Sequence, residues 1–468
     1  MDRIADVLQE LFWGIPVMLL LLGVGIRLTV LCGAPQFRQF GRICREAWRK
    51  LRTKPEKGTV SPFRAMCTAL AASVGTGNIA GVAGAIALGG PGAVFWMWVS
   101  AAFGMCTKLT EVTLAVRYRR RSAAGERIGG PMYYIEDGLG RRFRWLAVIF
   151  SAAGVLASAG TGVLTQVNTV AGTVCAAIDG FTAVTDGLRR TVVLLTGIGC
   201  AAVSAWILLG GVGRLAEACA GLVPFMAILY LGLALGVIFW RITELPAAIS
   251  AIFRCAFRPE AMLGGGVGVT ARSAMTAGIG RGVFSNEAGV GSAPIAYAAA
   301  DGDDPVGQGI FGVIEVFVDT GLICTATAFV ILLGVGTESI PYGRAASAEL
   351  AVRGLSAVWG NRIPGVLTAV CLTLFAFSTC LTWALYGCRC AEYLFGERIR
   401  KPFLIFYCIC MIPCAAVGTE PAWELAGAVN GLMALPNLAA LLLLAPEAAA
   451  MIRIYFRTHS ENLEVSAS

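Results

Sequence analysis

Ser73-Val-Gly-Thr-Gly-Asn-Ile-Ala-Gly-Val-Ala-Gly-Ala-Ile-Ala-Leu-Gly-Gly-Pro-Gly92 is apolar enough to lie in hydrocarbon, yet it opens with a helix-breaking cluster. Gly75, Gly77 and Gly81 surround the polar pair Thr76 and Asn78. Glycine is costly inside a helix because it loses the most backbone entropy on ordering. Backbone that leaves the helix inside a bilayer must also find new hydrogen-bond partners. A membrane segment accepts both costs where the freed groups bind something. The N-terminus of a half-helix suits a carboxylate, and freed carbonyls suit a small cation. A broken helix of this composition implies a secondary transporter.

The rest of the chain agrees with a membrane setting. Of 468 residues, 57% are hydrophobic and only 14% charged, against roughly 25% charged in a soluble domain. Apolar stretches of spanning length recur near 11–33, 62–89, 92–116, 145–174, 191–210, 215–240, 262–282, 306–335, 363–395, 402–417 and 423–452. The expected fold is an all-α polytopic membrane protein with about eleven transmembrane helices. Acidic residues precede the first stretch and no clean cleavage site follows it, so it reads as a retained helix and not a signal peptide. No linker or low-complexity block divides residues 1–468, which form a single transport domain.

A second glycine-rich stretch, Leu263-Gly-Gly-Gly-Val-Gly-Val-Thr270, comes five spans after the first. Interrupted helices at matching positions of two halves point to an inverted repeat. Residues 62–240 form the expected first half and 262–452 the second, with 11–33 an extra N-terminal helix and 453–468 a tail. Close packing between helices is the competing reason for such glycines.

Arginine and lysine crowd the loops at 38–57 and 117–144, the loop at 398–401, and the tail. These regions fall on one side of an eleven-span chain, and that side is expected to be cytoplasmic. The N-terminus is then outside and the C-terminus inside a bacterial inner membrane. Orientation accounts for the arginines without nucleic acid. The sole histidine, His459, lies in the tail, which removes histidine-based chemistry from the spans. With no aspartate-rich metal motif and no GxxxxGK[ST], a membrane-embedded enzyme or an ATP-driven pump is disfavoured.

Gly89-Gly-Pro-Gly-Ala-Val-Phe-Trp-Met-Trp-Val-Ser-Ala-Ala-Phe-Gly104 resembles the alanine-or-glycine:cation symporters, the bacterial sodium:alanine symporter family. Further blocks agree in order: Val74–Gly81, Gly129–Ile135, Gly282–Gly289 with Gly291–Pro294, and Asn430–Asn437. The resemblance covers nearly the whole chain. It implies a leucine-transporter-type fold, five plus five inverted helices after one extra helix. It also implies import of a small neutral amino acid, alanine, glycine or serine, coupled to Na⁺, with H⁺ as the alternative ion. No organic cofactor is implied, and the expected assembly is a monomer or weak oligomer.

Particular residues follow. Thr76 and Gly77 N–H groups at the first break can receive a carboxylate. Asn78 can ligate Na⁺ and steady the carboxylate, or cap the half-helix. The resemblance places the carbonyls of Ala71 and Val74 in a sodium site completed by Ser378 and Thr379. Those hydroxyls can instead bond back to carbonyls one turn earlier. Gln166 is assigned to substrate, Asn168 to substrate or helix packing, and Trp383 to a cavity wall or a lipid-facing position. Asp319 can ligate the cation, carry a proton or pair with a base, with Glu315 one turn away. Gly266 marks the expected second break at Gly264–Gly268, where the missing aromatic predicts a roomier pocket. Lys108 and Glu111, at i and i+3, are expected to neutralise each other, and Arg281 and Glu287 to lie near the cytoplasmic face.

Overall fold

In the computed structural model the described residues are 14–51, 60–179, 185–258, 269–343, 348–360, 362–417 and 419–465. Helix α1, Ile15–Cys32, begins at a proline in its first turn and ends at Gly33 in the left-handed conformation. The amphipathic α2, Phe40–Leu51, buries Ile43 and Ala47. In α3, Pro62–Ser73, Ser61 caps the start by accepting from the Arg64 N–H. It is followed by a single 3₁₀ turn, Thr76–Asn78, and then α4, Ala80–Gly89. The two parts are bent by 59°, so the helix expected to break does break, at the glycine cluster.

The long α5 spans Gly92–Arg117. Helices α6, Arg144–Ala157, and α7, Thr165–Asp179, flank a π-helical segment, Ser158–Leu164. Then come α8, Asp186–Leu208, α9, Gly211–Trp240, and the shorter α10, Leu245–Phe257. Helix α11, Ala271–Asn286, starts at a Thr270 cap and stops at Glu287; a short helix, Ala293–Tyr297, follows. Helices α12, Pro305–Val316, and α13, Thr325–Gly334, enclose a second π segment, Phe317–Cys324. The series closes with α14, Glu349–Trp359, α15, Arg362–Phe395, α16, Arg400–Cys414, and α17, Thr419–Val465.

Among the described residues, eight helices are long and apolar enough to cross a membrane, or nine with the bent α3–α4 pair. The expected spans 262–282 and 402–417 correspond to α11 and α16, of 16 and 15 residues. At about 1.5 Å per residue these are shorter than a straight crossing of the hydrocarbon core.

Hydropathy and burial run in opposite directions. The most apolar span, α9, has mean hydropathy 2.4 and is only 28% buried, while α5 has 1.2 and is 78% buried. Lipid is apolar, so the outermost helix carries the apolar surface, including Phe225, Ile228 and Phe239. Helix α5 sits among α11, α12 and α1, where polar groups can meet partners. At one end, Lys50 pairs with Asp304 (2.8 Å), Arg127 with Asp301 (2.6 Å), and Arg119 with Asp303. Glu126 accepts from Arg389 (2.6 Å) and Arg400 (2.9 Å). Partial burial pushes the Glu126 carboxyl up, but hydrogen bonds from Arg400 and Arg389 outweigh this and hold it below the ordinary carboxylate range. The basic loops and the acidic 301–304 loop thus share one end, as the charge pattern requires.

Candidate functional site

The first break puts polar groups at the centre of the bundle. Ser73 ends α3, and Gly75 is extended (φ −130°, ψ −155°) before the 3₁₀ turn. Thr76, Gly77 and Asn78 are all buried. The Asn78 amide works in both directions. Its oxygen accepts from the Gly75 N–H (2.9 Å), and its NH₂ donates to Asp319 Oδ1 (2.6 Å) and lies 3.3 Å from Cys324 Sγ. Capping the turn is therefore part of its role, and a carboxylate occupies the other half of its bonding capacity.

Asp319 lies in the π segment of the α12–α13 helix and is fully buried. Single-turn π geometry shifts side-chain register and commonly occurs at functional positions. Besides Asn78, its carboxylate accepts from Thr320 Oγ1 (2.8 Å) and Ser285 Oγ (3.0 and 3.1 Å). Among the described residues no lysine or arginine is seen to donate to it. A buried carboxylate held by neutral donors can still attract a cation.

The hydroxyl pair on α15 reaches α3. Ser378 and Thr379 both donate toward the Ala71 carbonyl (3.3 and 3.0 Å) and the Phe375 carbonyl (2.9 Å each). Back-bonding within α15 and contact with α3 occur together. Four oxygens from two helices converge here, a neutral set of the hard type that alkali and alkaline-earth cations take. Gly75 is required by this approach: a Cβ there would stand 2.7 Å from Thr379 Oγ1. Val74, the other expected carbonyl ligand, is fully buried at the end of α3.

Thr76 Oγ1 donates to Gln166 Oε1 (3.3 Å), which brings α7 to the first break. Asn168 instead donates to the Val417 carbonyl, joining α7 to the segment between α16 and α17. Trp383 is fully buried and packs edge-on against Tyr386 at 5.5 Å, so it does not face lipid. Gly266 lies outside the described residues.

One expectation is corrected, the partner of Lys108. The expected second break at Gly264–Gly268 lies outside the described residues; among the described residues an interruption falls at Glu287–Ser292, between α11 and Ala293–Tyr297. Glu287, Gly289 and Gly291 all have left-handed backbone there (φ 53°, 90° and 89°), which suits glycine and is uncommon for glutamate. Glu287 is thus at a helix interruption deep in the protein, 4% exposed, and accepts from Ser292 Oγ (2.5 Å). Lys108 pairs with Glu315 of α12 (3.6 Å), while Glu111 accepts from Asn437 Nδ2 (2.5 Å). Phe284, close to this interruption, lies against the first break: a Cβ on Gly77 would sit 3.5 Å from its ring. The expectation of a roomier pocket rests on Gly264–Gly268, outside the described residues. Ser285 and the Phe375 carbonyl were not anticipated; Ser285 stands inside the quoted Gly282–Gly289 block, the one signal for it.

Two interrupted helices, side by side through Gly77, Phe284 and Ser285, agree with the resemblance drawn from sequence, and comparison decides it. The profile of the sodium:alanine symporter family matches residues 1–467. The chain belongs to the sodium:alanine symporter family. It is 43% identical over 445 residues to an uncharacterized transporter of Haemophilus influenzae, covering 94% of this chain and 93% of that one. It is 38% identical over 444 residues to the sodium/alanine symporter AgcS of Methanococcus maripaludis, covering 94% of each. Among solved structures it is similar to MhsT in complex with L-phenylalanine, with TM-score 0.57, 14% identity, and coverage of 85% of this chain and 98% of that one. At that identity the likeness shows the fold, the leucine-transporter type. As a member of this family the chain is a membrane transporter that couples amino-acid movement to a cation, and not an enzyme.

Proposed function

We propose that the chain is a secondary active symporter that imports alanine, glycine or serine with Na⁺ by alternating access. Two five-helix halves, 62–240 and 262–452, move about the first break. The observation that carries the reading is the convergence on that break of two oxygen clusters from the other half. One is Asn78 with Asp319, the other Ala71 with Ser378, Thr379 and the Phe375 carbonyl.

Each cluster has a cation role. Asp319 and the Asn78 oxygen supply a charged site; the Ala71, Val74 and Phe375 carbonyls with the two hydroxyls supply a neutral one. A hydroxyl that donates to a carbonyl can rotate to offer its lone pair to an ion. The Thr76 and Gly77 N–H groups, at the start of the α4 half-helix, receive the substrate carboxylate. Gln166, already bonded to Thr76, faces its polar groups, Trp383 closes the cavity, and Phe284 limits side-chain length. The arginine-rich end faces the cytoplasm of a bacterial inner membrane, with the N-terminus outside.

The test is alanine uptake into proteoliposomes under imposed gradients. Accumulation driven by inward Na⁺ and increased by an interior-negative potential is expected. Uptake that ignores Na⁺ and follows a pH gradient would replace sodium with protons as the coupling ion.

A further inference from the structure

Toward the arginine-rich end from the first break lies a set of ionisable groups that the cation and substrate positions leave unused. Lys108 and Glu111 on α5, Glu315 on α12 and Glu287 at the second interruption are at most 4% exposed. Lys108 Nζ is 3.6 Å from Glu315 Oε1 and also faces Glu111 and Glu287. Asn437 donates to one oxygen of Glu111, and Ser292 to one oxygen of Glu287. Lys108 Nζ, both oxygens of Glu315, the second oxygen of Glu111 and the Tyr297 hydroxyl make no hydrogen bond.

One ammonium matches one carboxylate. With all three carboxylates ionised the layer would carry two uncompensated negative charges in a dry interior, and Asp319 lies within range of Glu287 and Glu315. Buried unpaired charge is strongly disfavoured, and such groups neutralise by binding protons when nothing else compensates them. Among the described residues no cluster of His, Cys, Asp or Glu could hold a metal ion. Among the described residues the other titratable groups seen to face the layer are tyrosines: Tyr134 toward Glu111, Tyr297 toward Glu315, and Tyr386 of α15 toward Glu287 and Glu315. None of these supplies positive charge.

We propose that Lys108, Glu111 and Glu315, with Glu287 as the third carboxylate, form a proton-binding site distinct from the cation positions. Closed, the layer holds one carboxylate against Lys108 and the other carboxyls protonated. It exchanges those protons with the arginine-rich side when α3 and Ala293–Tyr297, which bring Ser73 and Tyr297 to Glu315, move away and let water in. This rests on the alternating-access reading above. It makes closure on that side depend on rebinding protons, so the pH on that side alone governs the rate.

The test is alanine counterflow with saturating Na⁺ on both faces of right-side-out membrane vesicles, varying lumenal pH and holding external pH fixed. Wild-type exchange is expected to fall about 10-fold or more as lumenal pH rises from about 6.5 to about 9 and the protonated carboxyls of the layer give up their protons. External pH should leave it unchanged. In Glu111→Gln the fall is expected to shrink to about 2-fold or less. If that variant does not purify as a single species, Lys108→Met with Glu315→Gln removes the pair as a neutral unit and is expected to flatten the profile equally. A flat wild-type profile, or a variant that keeps the wild-type profile, overturns the proton site while Na⁺-driven alanine uptake leaves the symport reading standing. Absence of Na⁺-driven alanine uptake overturns the symport reading and the proton site with it.

Discussion

The two interrupted helices solve one problem in different ways. At the first, Val74–Asn78, the freed backbone meets mobile partners: hydroxyls of Ser378 and Thr379 on the Ala71 carbonyl, and an amide shared between Gly75 and Asp319. At the second, Glu287–Ser292, fixed groups of the protein do the same. Asn437 donates to the Gly289 carbonyl (2.9 Å), and Asn286 Oδ1 accepts from the Ala288 N–H (3.0 Å). The Ser378 and Thr379 hydroxyls of the first interruption can turn from a carbonyl toward an ion, whereas the second is bridged by the Asn437 and Asn286 amides with no such hydroxyl pair. The first interruption is thereby suited to transient ligands, and the second to holding the inner segment in place.

The largest effect that would separate them is at Asn78. Asn78→Ala leaves the Gly75 N–H without a partner, worth about 1–3 kcal/mol in a dry site, and takes from Asp319 Oδ1 its shortest donor, leaving Ser285. Transport should fall about 10- to 100-fold, as that range implies, while the protein still inserts and elutes as one species. Wild-type uptake in this variant would remove the first break from the mechanism.

Ser378→Ala with Thr379→Ala is expected to raise the Na⁺ concentration for half-maximal uptake about 10-fold, equivalent to ~1.4 kcal/mol. The alanine requirement at saturating Na⁺ should move far less. Equal shifts in both would assign the hydroxyls to general packing.

Asn437→Ala tests the other region. It removes the donor to Gly289 and Glu111 and the acceptor for Tyr134, a loss of about 2–4 kcal/mol of stability from two or three buried bonds. A lower unfolding temperature with unchanged Na⁺ dependence is expected. A Na⁺ shift as large as that of the hydroxyl pair would erase the distinction between the two breaks.

The smallest effect concerns size. Phe284→Ala opens space beside Gly77, and apolar pockets discriminate by about 1–3 kcal/mol per methylene. Serine and threonine should compete with alanine a few-fold better, measured by inhibition of labelled uptake. Unchanged competition would place the pocket's limit elsewhere.

The first break could be read from sequence because glycine, threonine and asparagine in an apolar run contradict a helix locally. Ser378 and Thr379 were found through family resemblance, since nothing local separates them from ordinary back-bonding hydroxyls. The expected break at Gly264–Gly268 lies outside the described residues, and the interruption at Glu287–Ser292 went unread because Gly289 and Gly291, two left-handed positions spaced by one residue, look less disruptive than four nearby glycines. Lys108 was paired with Glu111 on helical spacing, but its partner Glu315 lies about two hundred residues on, across two helices. Local periodicity carries no information about that contact. The donors to Asp319 from Asn78 and Ser285 were hidden for the same reason.

Saturable ²²Na⁺ binding to purified protein in detergent tests the division between the interruptions most directly. Binding should be lost in Asn78→Ala and weakened about 10-fold in the Ser378→Ala, Thr379→Ala variant, as for their transport, and kept at wild-type affinity in Asn437→Ala. Wild-type binding in the first two, with binding lost in Asn437→Ala, would contradict the placement of the cation at the first break.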